Sequence, residues 1–144
     1  MGYSDRSRNR ARRKPFKKPL PKILIVCEGE ASEPEYFRGL KAALQNPRVD
    51  IEIGKEHGVP LTLVQYAAKL KRQAHRKAKA AGDTYLAYNA VWCVFDIDEH
   101  PNIPDACECA RDNKIDCAIS NPSFELWLLL HFREPSGASH RVTK

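Results

Sequence analysis

The chain has 144 residues and a mass of 16.3 kDa, enough for one ordinary domain. It carries 24 Lys and Arg against 18 Asp and Glu, and the resulting +6 points to a polyanionic partner. A hydrophobic content of 42% excludes a wholly disordered chain. The charge is divided unevenly: residues 1–22 hold nine basic residues and one acid, a net +8, while the remaining 122 residues sum to −2. No apolar run approaches the roughly 20 residues needed to span a bilayer. The N-terminus has the charge of a signal peptide but no apolar segment or cleavage site. Five cysteines, an odd number without the density of a disulfide scaffold, suit a reducing, cytoplasmic setting.

Residues 1–21 alternate arginine with Ser, Asn, Ala and Pro, and this composition predicts a disordered basic arm that includes Arg10, Arg12 and Arg13. Residues 22–27 (KILIVC) form a β-branched apolar run, a fully buried strand by type. Residues 32–35 read S-E-P-E, a capping box at the head of a helix that extends to about residue 45. Tyr36, Phe37, Leu40 and Leu44 share one side of that helix. Residues 49–53 (VDIEI) alternate as a strand with a polar face or at a sheet edge. Residues 60–81 are helical by propensity and stop at Gly82. A second buried strand follows at 91–95 (VWCVF), then a short helix at 104–113 and a third apolar strand at 115–119. The closing helix, 122–132, is apolar nearly all round and therefore expected to be buried. Strands alternating with helices predict an α/β domain over residues 22–132, with a mostly parallel sheet of about four strands and a polar tail at 133–144.

Two of the buried strands run into acids, the first into Glu28-Gly29-Glu30 and the later one into Asp96-Ile97-Asp98. In extended chain Asp96 and Asp98 project to the same side. If the two strands are neighbours, Glu28 converges with that pair beyond the strand ends, where parallel sheets form their sites. Three such carboxylates stay ionised together only with a cation, because like charges raise one another's proton affinity. Oxygen ligands suit Mg²⁺ or Mn²⁺ and argue against zinc, and such ions usually act on phosphates. Acids also occur in ordinary loops, and Glu33 and Glu35 suit a helix N-terminus on dipole grounds, with capping the favoured role for Glu35. Gly29 fits a tight turn that frees backbone N–H groups for an anion.

A hydrophobic strand ending Glu-Gly, followed by a later strand ending Asp-x-Asp, resembles the toprim domain of topoisomerases, primases and OLD-type nucleases. More narrowly, Ile25-Val26-Cys27-Glu28-Gly29-Glu30 with Glu33-Pro34-Glu35-Tyr36-Phe37 resembles the opening motif of the RloB family. Val94-Phe95-Asp96-Ile97-Asp98 resembles its second motif, and Ser120-Asn121-Pro122-Ser123-Phe124-Glu125-Leu126-Trp127 its third. The resemblance implies a Mg²⁺-dependent, nuclease-like protein of phage defence, encoded beside restriction genes or paired with an ATPase. It makes Glu28 the toprim glutamate, Asp96 and Asp98 the Asp-x-Asp pair, and Glu33 an extra acid. Such proteins generally continue with further helical sequence, so the resemblance also implies a shortened chain. The alternative is then a non-catalytic nucleic-acid-binding or regulatory subunit, or an inactive homologue.

Glu125 falls at the end of the first turn if Asn121 caps the closing helix and Pro122 opens it. A buried acid there serves either the metal site or a salt bridge to a buried arginine. Lys69, Arg72, Arg76 and Lys79 line one stripe of the 60–81 helix, with Lys71 and Lys77 beside it; this is either a phosphate track or a solvated face. The N-terminal arm would add salt-dependent affinity for nucleic acid, or act as a solubilising tail. The cysteines fit no standard zinc frame, and Cys27, Cys93 and Cys117 read as small hydrophobes within strands. His131, the histidine near the third motif, is either a core residue or a general base.

Overall fold

The computed structural model describes residues 19–54, 59–97 and 102–131. Residues 1–18 of the expected 1–21 arm, with Arg10, Arg12 and Arg13, lie outside them, as do Asp98, residue 132 and the expected tail at 133–144. The elements alternate: β1 (Ile23–Cys27), α1 (Ser32–Ala43), β2 (Val49–Ile53), α2 (Pro60–Ala81), β3 (Ala90–Asp96), α3 (Ile103–Asp112), β4 (Asp116–Ser120) and α4 (Phe124–Leu129). A single turn of 3₁₀ helix, Thr84–Leu86, precedes β3.

The four strands form one sheet in the order β2-β1-β3-β4, and every pairing is parallel. The α/β expectation therefore holds. The two central strands are the two most apolar runs, because a strand flanked on both edges and covered on both faces has no polar side to present. The half-polar VDIEI segment lies at an edge, one of the two placements its alternation allowed.

Side chains of β1 and β3 alternate between two layers. Leu24, Val26, Val91, Cys93 and Phe95 face α2 and α3 and pack with Leu63, Val64, Ala67, Ala106 and Ala110. Burying each of the larger aliphatic groups contributes about 2 kcal/mol, and the alanines let the two helices approach the sheet and each other closely. Ile25, Cys27 and Val94 face the other way, toward Tyr36 and Phe37 of α1 and Phe124 and Leu128 of α4. This second layer is thinner. An apolar groove of about 590 Å³ runs between α1 and α4, and Trp92, Ile119 and Leu44 remain substantially exposed along it.

Local signals explain the helix ends only in part. Pro60 opens α2, and Gly82 closes it at φ 62°, a left-handed conformation that costs glycine little. The expected capping box on α1 does not form: the N-cap is Ala31, without a side-chain cap, and Ser32 and Glu35 already lie inside the first turn. Glu35 still favours the positive helix end as a charge. The closing helix also departs from expectation. Its cap is Ser123, whose hydroxyl accepts the N–H of Leu126, so Asn121 and Pro122 precede the helix. Phe124 is buried, but Glu125, Leu126, Trp127, Leu129 and Leu130 are exposed, so an apolar run here does not mean burial.

No helix among the described residues is long and apolar enough to cross a membrane.

Candidate acidic site at the ends of the central strands

The chain leaves β1 toward one edge of the sheet, through α1 to β2, and leaves β3 toward the other, through α3 to β4. Because α1 lies on one face and α2 and α3 on the other, a crevice opens between the carboxyl ends of β1 and β3. This is the switch point at which open parallel sheets form their sites. Glu28 directly follows β1, and Asp96 is the last residue of β3.

The two acids are tied into the main chain. Glu28 keeps β1 paired to β3 by donating its N–H to Val94 O at 3.0 Å. Its side-chain Oε2 accepts the N–H of Asp96 at 3.1 Å. Oδ1 of Asp96 in turn accepts the N–H of Phe124 at 3.0 Å, which joins the end of β3 to the start of α4. One line of hydrogen bonds thus links all three motifs. The aromatic side chains reinforce it: Tyr36 of the opening motif meets Phe124 and Trp127 of the third edge-on, at ring-centroid distances of 5.7 and 5.3 Å.

Glu33 completes the cluster. It is only 5% exposed, in the first turn of α1. Burial raises its carboxyl's proton affinity, a backbone N–H of its own residue partly opposes this, and the charges of Asp96, Glu125 and Glu28 raise it further. Four of the five expected acids therefore share one electrostatic neighbourhood; the fifth, Asp98, is outside the described residues. Glu125 enters from the exposed rim, which removes the argument that burial obliges it to find a partner.

Gly29 is needed here for space. A Cβ at this position would collide with the Glu33 carboxylate, and Gly82 has the only positive φ among the described glycines. The close approach of Glu33 and the role of the Phe124 N–H both escaped sequence reasoning. A main-chain donor has no sequence signature, though a glycine directly after an acid was a usable sign of crowding.

Hard oxygen donors of this kind fit Mg²⁺ or Mn²⁺ chemistry. Among the described residues, however, no three His, Cys, Asp or Glu side chains stand in an arrangement that holds a metal ion. The cysteines make no metal site there either; all five are free thiols. His131 is exposed and donates Nδ1–H to Trp127 O at 2.9 Å, against the Trp127 ring, so it is not a core histidine.

Lys69, Arg72, Arg76 and Lys79 are all exposed on α2. Lys71 is not available to a phosphate, because its Nζ donates to the carbonyls of Asn113 and Lys114 at 2.8 Å each and closes the C-terminal end of α3.

The fold and the site together define an all-parallel α/β protein with an acidic cluster at its topological switch point. The chain belongs to the RloB-like protein family, whose family model matches residues 23–144 and so takes in every strand and helix described above. No curated protein and no solved structure matched the chain.

Proposed function

We propose that this RloB-like protein is a toprim-type, Mg²⁺- or Mn²⁺-dependent phosphodiesterase that cleaves nucleic acid in phage defence, in the cytoplasm and beside a partner ATPase. The observation that carries the reading is the convergence of Glu28, Glu33, Asp96 and Glu125 at the ends of β1 and β3. Glu28, Asp96 and Asp98 would hold the ion, which when bound polarises a phosphoryl oxygen and readies a water. The hydrogen bonds from the N–H groups of Asp96 and Phe124 hold the Glu28 and Asp96 carboxylates in place. Glu33, whose proton affinity is raised, is suited to take a proton from a water beside the phosphate and to return it. Arg10, Arg12 and Arg13 would add affinity for the polyanion that weakens with salt. The test is cleavage of DNA, tRNA and rRNA with Mg²⁺ or Mn²⁺ by the wild type and by Asp96→Ala. Equal cleavage by both proteins overturns the proposal.

One observation favours a second reading. The Glu28 and Asp96 carboxylates already accept backbone hydrogen bonds, as structural acids do. In that case the chain is a non-catalytic nucleic-acid-binding or regulatory subunit. Nucleic-acid binding unchanged by EDTA, with no turnover, would select this reading.

A further inference from the structure

The acids and the arginines of the basic stripe lie at opposite ends of the sheet. The first turns of α2 adjoin the acidic end: Leu63 packs against Gly54, whose N–H donates to Cys27 O, one residue before Glu28. The second half of α2 adjoins the other end, where a groove of about 470 Å³ is lined by Lys71, Arg72, His75, Arg76, Tyr88 and Lys114. Tyr88 and Lys114 stand just before β3 and β4, so this groove borders the amino ends of the strands. Cations are crowded in it: burial and the nearby charge of Lys114 both lower the proton affinity of Lys71. Among the described residues Asp112 is the one acid on its lining, and the nearby charge of Asp116 opposes the shift of Lys71.

We infer that the exposed face of α2 is a track along which a nucleic-acid backbone is led from the Arg72–Arg76–Lys114 groove toward the carboxylates, so that cleavage has a minimum substrate length. The inference rests on the phosphodiesterase reading. Lys69 stands between the groove and the acidic end, and Lys79 extends the track beyond the groove. Arg76 lies sixteen residues past Pro60, which at the α-helical rise is about 24 Å. A stacked strand advances about 3.4 Å per nucleotide, so about seven steps separate a phosphate on Arg76 from one at the acidic end. Shorter substrates engage one end or the other, and longer ones engage both.

The experiment uses the full chain and DNA and RNA oligonucleotides of graded length, from about four to about twenty nucleotides. Cleavage with Mn²⁺ and affinity by fluorescence anisotropy are measured for the wild type and for the double variant Arg72→Glu, Arg76→Glu. Wild-type kcat/KM is expected to rise about tenfold as length passes about seven nucleotides. The double variant is expected to lose that rise, and to bind long oligonucleotides more weakly with a shallower salt dependence. Measurable wild-type cleavage that does not change with length, or unchanged affinity in the double variant, overturns the track. Absence of cleavage at every length, with affinity still lost in the double variant, supports the track and overturns the phosphodiesterase reading instead.

Discussion

A Cβ on Gly29 would overlap Oε2 of Glu33, so the carboxylate of Glu33 occupies the space that any side chain at position 29 would need. Gly29→Ala must therefore push the carboxylate out toward water. The displaced atoms are the end of a flexible side chain, so the cost in stability is about 1 kcal/mol. The larger effect is on titration, since a solvated Glu33 returns toward the ordinary range of a glutamate. A carboxyl NMR titration of the variant checks this; a Glu33 signal that still titrates high would contradict it.

The sign of the Glu33 contribution to stability follows from the direction of its shift. Its folded-state value is raised above the ordinary 4.5, so the folded protein binds this proton more readily than the unfolded chain does. Glu33 thus stabilises the fold below the ordinary glutamate range, and that stability is lost as pH rises through the raised value. Glu33→Gln, which keeps the shape without the charge, is expected to melt a few degrees higher than the wild type at neutral pH. The difference should shrink as pH falls below 4.5. Thermal melts across the acid range read it directly, and a variant less stable at neutral pH would refute it.

Asp96 has a structural duty that can be separated from any chemistry. Its Oδ1 accepts the Phe124 N–H and anchors the start of α4. Asp96→Asn retains an acceptor oxygen, whereas Asp96→Ala leaves that donor without it. The alanine variant is expected to be less stable than the asparagine variant by about 1 kcal/mol. Urea unfolding midpoints of the two compare them; equal midpoints would mean that the hydrogen bond to the Phe124 N–H adds nothing to stability.

The thiols should sort by burial. Burial pushes Cys27 up to about 12 and Cys117 to about 11, and drives Cys93 higher still. Thiolate is the reactive form, so these three should resist alkylation in the folded protein near neutral pH. Cys107 and Cys109, on the half-exposed face of α3, should be modified first. Mass spectrometry after brief iodoacetamide treatment gives the order, and early labelling of Cys93 would show that the α2/α3 layer opens readily.

Much of the fold was legible because its signals were redundant. The apolar runs at residues 22–27 and 91–95 read as buried strands and lie at the centre of the sheet, but their adjacency, on which the meeting of Glu28 and Asp96 depends, stayed open because a third apolar strand was equally eligible to lie between or beside them. What failed were inferences from one local pattern. Ser32 and Glu35 have the spacing of a capping box, yet the helix begins one residue too early for it. The Leu and Trp residues after Glu125 have the composition of a buried helix, but burial depends on what packs outside them. The burial of Glu33 was equally hidden, since it depends on the room that Gly29 leaves in three dimensions. Periodicity identified the face of α2 carrying Lys69, Arg72, Arg76 and Lys79, but not the end of the sheet on which the arginines lie.

Both tryptophans of the chain, Trp92 and Trp127, line the groove between α1 and α4, and each is 40% exposed. The intrinsic emission of this protein is thus a one-sided optical probe. It will follow solvent entry, quenchers or any body that settles on the α1/α4 layer, and will respond to the α2/α3 layer only when the sheet between them gives way. A fluorescence unfolding curve that precedes the loss of helical circular dichroism would record the thinner layer coming apart first.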